Sequence, residues 1–161
     1  MKRPMTKEQV LLKLTTMCSS AEHCSGEMIK KMENWEVSPE MQAEVMEYLV
    51  KEKYIDDRRF CRFFVNDKIK YNKWGRRKVE QALWEKRIDS SISAEVLDEI
   101  PTEMYVDILK PLLNDKKKTV KGRNDYEIRC KLVRFALGRG FTYDIINQCV
   151  DEAEEFSDND I

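Results

Sequence analysis

Apolar residues recur at i, i+3 and i+4 along nearly the whole chain, the spacing that lines one face of a helix. Val10, Leu11 and Leu14 open one stripe, Phe60, Phe63 and Phe64 a second, and Tyr105, Ile108, Leu109 and Leu112 a third. After each comes a helix, a short break and another helix. With the break as origin, Val37, Ile88 and Phe141 fall in register. Around them Met28 matches Val79 and Leu132, Met32 matches Leu83 and Ala136, and Met41 matches Ile92 and Ile145. Further on, Val45 matches Val96 and Cys149, and Met46 matches Leu97 and Val150. Apolar positions at fixed offsets in three segments are the mark of a repeat.

The pattern predicts an all-α fold of three tandem three-helix repeats, over residues 5–54, 55–101 and 102–156, with 157–161 as the end of an acidic tail. A small repeated unit buries its apolar face largely against its neighbours, so an elongated, curved molecule is expected. The breaks carry helix-start chemistry: Asp56 and Asp57 offer a cap and a first-turn acid, and Thr102 offers a cap. Lys116 to Asp125 reads as a mobile polar connection or a charged extension of its flanking helices. Phe60, Phe63, Phe64, Trp84 and Tyr48 are expected in the core. Trp74, beside Gly75 at a helix entrance, either packs the turn or stands as an interface anchor.

Composition adds exclusions. Charged residues are 37% of the chain, with five Gly and four Pro, which favours helices over a turn-rich β fold. No apolar run reaches a membrane span and the first nine residues are too charged and short for a signal peptide, so a soluble cytoplasmic protein is expected. The five scattered cysteines, Cys18, Cys24, Cys61, Cys130 and Cys149, then serve as small hydrophobic residues in a reducing compartment. His23 is the sole histidine, and neither a nucleophile elbow nor a glycine-rich phosphate loop is present. Cys18, His23 and Cys24 lack the paired spacing of a zinc site. We therefore expect neither an enzyme nor a cofactor-binding protein.

Charge is distributed unevenly. The net charge is −1, yet residues 151–161 hold six acids and no base, leaving five excess cations over the rest. Lys70 to Ile88 has seven basic and two acidic side chains, and Lys116 to Arg139 has nine and two. In the repeat register Arg76, Arg77 and Lys78 fill the slots of Ser25, Gly26 and Glu27, so three cations crowd a helix start that ordinarily prefers an acid. Arg129 and Lys131 repeat the feature in the third segment. The expected contacts for a polyanionic or acidic partner are Lys70, Lys73, Trp74, Arg76, Arg77, Lys78, Lys116, Lys117, Lys118, Lys121, Arg123, Arg129 and Lys131.

The run YIDDRRFCRFFVNDKIKYNKWGRRKVEQALWEKRI, with AEHCSGEMIKKMENWEV before it and KLVRFALGRGF after it, resembles the RecX family of bacterial regulators of the RecA recombinase. The resemblance covers nearly the whole chain. It implies three tandem three-helix repeats and binding along the RecA filament, with inhibition of strand exchange, ATP hydrolysis and co-protease activity, and so a place in DNA repair and the SOS response. Glu36 and Arg87 stand where a glycine often precedes the apolar end of the helix in that family; Gly140 keeps it. The expected partner is the RecA filament, with single- or double-stranded DNA as a second, for a monomer that touches no membrane. The alternative reading is a stand-alone DNA-binding protein whose units act as helix-turn-helix modules.

Overall fold

The computed structural model describes the backbone of residues 3–152 and the side chains through residue 150. The acidic tail, apart from the backbone of residues 151 and 152, lies outside the described residues. Among those described the chain is helical throughout: α1 (Lys7–Ser20), α2 (Ser25–Asn34), α3 (Pro39–Lys51), α4 (Asp57–Lys70), α5 (Arg76–Glu85), α6 (Ser90–Asp98), α7 (Thr102–Thr119), α8 (Asp125–Gly138) and α9 (Tyr143–Glu152).

The second helix of each trio ends in the same way. The Val37 N–H donates to the Met32 carbonyl at 2.9 Å, Ile88 to Leu83 at 3.1 Å and Phe141 to Ala136 at 3.2 Å. The residue before each lies in the left-handed region: Glu36 at φ 59°, Arg87 at 62° and Gly140 at 94°. This is a Schellman ending, which satisfies the last carbonyls of a helix and turns the chain toward the next one. The left-handed conformation carries a steric penalty of about 1 kcal/mol for Glu36 and Arg87 that Gly140 escapes.

The chain gathers into two compact units, one holding the residues up to Phe64 with Leu83–Ala94, the other Val65–Ala82 with the residues from Glu95 on. The first is built on Val10, Leu14, Met28, Met32, Val45, Leu49 and Ile55. The second buries Ile69, Val79, Leu109, Leu113, Leu132, Ala136 and Phe141. Each fully buried aliphatic side chain of this kind contributes roughly 1.5–3 kcal/mol.

Three aromatic expectations fail. Phe63 is 62% exposed, Trp84 72% and Tyr48 40%, whereas Phe60 and Phe64 are buried and stack at 5.7 Å. On α4 the buried positions are Phe60, Cys61, Phe64, Val65 and Ile69. Phe63 is rotated about 100° from Phe64 and leaves that stripe. Trp84 leaves the α5 stripe of Val79 and Leu83 in the same way, and Tyr48 lies beside the buried Leu49.

The start of α4 follows the predicted capping chemistry and the start of α7 does not. Asp56 caps α4, its carboxylate accepting the Arg59 N–H at 3.1 Å. Asp57 does more than supply a first-turn acid, because its carboxylate accepts the Ser25 N–H at 2.7 Å and also the Ser25 hydroxyl, holding the start of α2. Thr102 is not a cap: Pro101 takes that position without a side-chain bond, and Thr102 is the first helical residue. The polar stretch from Lys116 divides in half: α7 runs through Thr119, and residues 120–124 form the link to α8.

All five cysteines are free thiols, with Cys24, Cys61 and Cys149 buried. Burial pushes the Cys24 thiol up to about 11. No three His, Cys, Asp or Glu side chains among the described residues group as a metal site, and no described helix is long and apolar enough to cross a membrane.

Candidate partner-binding surface

The start of α5 is docked onto the turn between α8 and α9. The Gly75 N–H donates to the Arg139 carbonyl at 2.8 Å, and the Arg77 N–H to the Gly140 carbonyl at 3.0 Å. These carbonyls follow the end of α8, so the negative pole of one helix meets the positive pole of another. The approach requires two bare α-carbons. A Cβ on Gly75 would overlap the Gly140 carbonyl carbon, and one on Gly140 would overlap the Lys78 Cβ.

The other unit contains the same joint with different side chains. Gly26, at the start of α2, packs on the Lys86 carbonyl, which the Cys24 Sγ also approaches at 3.7 Å. The Lys86 ammonium meets Glu27 at 3.0 Å. Burial alone would raise the Glu27 pKa, but the Lys86 ammonium and the Cys24 N–H outweigh it and hold it below the ordinary value. Lys78 and Arg139 occupy the slots of Glu27 and Lys86, so an ion pair in one joint becomes two like charges in the other.

The three helix-start cations diverge. Arg76 is half-buried, 2.8 Å from Asp98 and 3.7 Å from Glu80. Partial burial opposes its charge, but the Asp98 hydrogen bond and charge, with Glu80, raise its pKa. The negative partner that a helix start prefers is thus supplied internally, as partial charge by two backbone carbonyls and as full charge by Asp98. Arg77 and Lys78 point to solvent. The Lys78 ammonium lies 5.0 Å from the Trp74 ring, and Lys68 lies 5.5 Å from it. Half-buried between two cations, Trp74 packs the turn, with its backbone N–H donating to the Lys68 carbonyl at 3.2 Å. Lys70 ends α4, exposed, and Lys73 is exposed at φ 58°.

Arg139 joins this link to the second basic block. Its guanidinium donates to the Lys73 carbonyl at 3.2 Å and the Asn72 carbonyl at 2.6 Å, and lies 5.9 Å from the Phe135 ring. Lys116 approaches that ring at 5.2 Å. Lys116, Phe135, Arg139, Lys73, Trp74 and Lys78 therefore form one chain of contacts on the second unit. Phe135 and Arg139 are absent from the sequence-derived set. Arg139 was detectable, since it shares the repeat slot of Lys86, whereas Phe135 carried no signal.

The remaining cations sort differently. Lys116, Lys117 and Lys118 fill the last turn of α7, where cations suit the dipole, and Lys118 lies 3.9 Å from Asp115. Arg123 and Lys131 each lie 3.6 Å from Glu127, and the Lys131 ammonium also donates to the Lys121 carbonyl. Arg129 and Lys131 do not sit at a helix start as the register suggested. An extra turn places Asp125 and Glu127 first, with Asn124 accepting the Glu127 N–H at 2.9 Å, and both cations follow in the next turn.

Comparison with known proteins adds the following. The second three-helix domain of RecX matches residues 56–97 and the third matches residues 103–150, together more than half of the chain. Regulatory protein RecX of Finegoldia magna is 30% identical over 127 residues, covering 76% of this chain and 60% of that protein. Regulatory protein RecX of Oceanobacillus iheyensis is 29% identical, covering 78% and 46%. The chain thus spans roughly half the length of these curated relatives. The crystal structure of RecX from Lactobacillus salivarius superimposes with a TM-score of 0.84 over 93% of this chain and 97% of that one, at 17% identity, a likeness of fold.

Proposed function

This chain belongs to the RecX family, and from that premise we propose that it is a non-enzymatic regulator of the RecA recombinase. It binds the RecA–DNA filament, inhibits strand exchange, ATP hydrolysis and co-protease activity, and so modulates DNA repair and the SOS response. The three repeats at 5–54, 55–101 and 102–156 supply the scaffold. The observation that carries the reading is the continuous surface Lys116–Phe135–Arg139–Lys73–Trp74–Lys78, flanked by the exposed Arg77. Cations fixed by aromatic rings and backbone carbonyls present a preorganised positive field, which attracts an acidic partner surface and orients its approach.

The same geometry disfavours the stand-alone DNA reader. A helix-turn-helix module offers the N-terminal residues of its recognition helix to base edges. Here that end of α5 is seated on the Arg139 and Gly140 carbonyls. Titrating the chain against the cognate recombinase filament and against bare DNA separates the two readings. Tight filament binding with weak binding to bare DNA supports regulation; tight binding to DNA alone with none to the recombinase overturns it.

A further inference from the structure

The whole of Arg139 is committed to the link between α4 and α5. Its Nε donates to the Lys73 carbonyl at 3.2 Å and its Nη2 to the Asn72 carbonyl at 2.6 Å, while its own carbonyl accepts the Gly75 N–H at 2.8 Å. One residue therefore holds the link at Asn72, Lys73 and Gly75. The Phe135 ring, 5.9 Å from the guanidinium carbon, restrains the side chain further.

The link needs such a hold. Helix α4 ends at Lys70, and the Asn72 and Lys73 carbonyls lie just beyond that negative pole, where a cation is favoured. Lys73 stands at φ 58°, a left-handed conformation that costs a residue with a side chain about 1 kcal/mol and persists where its surroundings impose it. Lys73 is exposed, and the next residue, Trp74, has Lys68 and Lys78 over its ring at 5.5 and 5.0 Å. How Lys73, Trp74 and Lys78 face a partner thus depends on the conformation of the link.

Charge alone does not account for Arg139. It is half-buried, and both of its side-chain hydrogen bonds go to neutral carbonyls. Lys86, in the same repeat slot of the other unit, instead turns its ammonium to Glu27 at 3.0 Å. A guanidinium forks to two acceptors in its plane, whereas an ammonium is a single compact charge.

We propose that Arg139 is a positioning residue of the partner-binding surface. It acts through the α4–α5 link, fixing how Lys73, Trp74 and Lys78 are presented, and its fork rather than its charge is what partner binding requires. The clamp stands on the geometry; its effect on the recombinase filament rests on the function proposed above.

The test is Arg139→Lys in the full chain, which keeps the charge and the backbone carbonyl but cannot bridge Asn72 and Lys73. Amide hydrogen exchange at Trp74 and Gly75 should accelerate by at least roughly tenfold, with the Leu132 and Ala136 amides of α8 unchanged. Inhibition of the cognate recombinase's ATPase should require roughly tenfold more protein, as when the binding-competent conformation falls to about one-tenth of the population. Lys73→Ala removes a charge and leaves the clamp, and it should also weaken inhibition. Combined with Arg139→Lys it should lose less than the two separate losses together, because Arg139 acts through Lys73. Unchanged exchange at the link, equal acceleration throughout α8, full inhibition by Arg139→Lys, or strictly additive losses would each overturn the proposal. A parent chain that leaves the ATPase unaltered refutes the proposed regulatory function, and exchange at the link then decides the clamp by itself.

Discussion

Gly75 and Gly140 meet backbone to backbone, and that contact seats the start of α5 on the turn after α8 through the 2.8 Å bond from the Gly75 N–H to the Arg139 carbonyl. Neither residue can carry a side chain without displacing the other's helix. Gly75→Ala should therefore lower stability by about 1–3 kcal/mol, the range for overpacking. Gly26→Ala should do the same in the other unit. Gly138, with open space where its Cβ would lie, is the control. Urea unfolding should show Gly138→Ala unchanged or more stable.

The Schellman endings of α2, α5 and α8 differ in how comfortably their left-handed residue sits. Glu36 is exposed and left-handed at φ 59°. Replacing it with glycine removes the steric penalty and should raise stability by about 0.5–1 kcal/mol, despite the extra freedom gained by the unfolded chain. Gly140→Ala should go the other way and further, because strain at φ 94° adds to overlap with Lys78. Thermal midpoints of the two variants should move in opposite directions.

The Glu27–Lys86 pair ties one joint to pH. The folded-state pKa of Glu27 is lowered, so its stabilising contribution is present above the unfolded value of 4.5 and is lost as pH falls through the folded value. Glu27→Gln should destabilise the chain at pH 7 and cost progressively less below pH 4.5. Parallel urea titrations at pH 7 and at about pH 3 check this; a constant difference would separate the effect from ionisation.

Among the helix-start cations, Arg76 is structural and Arg77 is available. Arg76→Ala should cost up to about 1 kcal/mol, as befits a partly exposed ion pair. Arg77→Ala should fall within about 0.5 kcal/mol of the parent, as for a surface substitution making no specific contact. Thermal denaturation of the two single variants distinguishes them.

The repeat register was legible because core positions obey helical spacing, and Met32, Leu83 and Ala136 all accept the equivalent turn hydrogen bond. Spacing alone did not resolve which aromatic faces the core. Phe63 and Phe64 are adjacent in sequence but about 100° apart on the helix, and only the neighbouring helices select between them. Likewise, the basic runs were visible in sequence, but not the division of labour within them. Arg76 turns to Asp98, and Phe135 links Lys116 to Arg139, through contacts between residues far apart in the chain. The extra turn of α8 escaped because its Asn124 cap lies inside what reads as a polar linker.

The most direct measurement is the single-stranded-DNA-dependent ATPase of the cognate RecA, titrated with the parent chain and with a Lys73→Glu, Arg77→Glu double variant of matched helical content. The account predicts that the parent inhibits below equimolar ratio and that the variant requires at least roughly tenfold more protein, from reversal of two exposed charges facing an acidic surface. Equal inhibition by parent and variant, or none by the parent at equimolar protein in low salt, would contradict it.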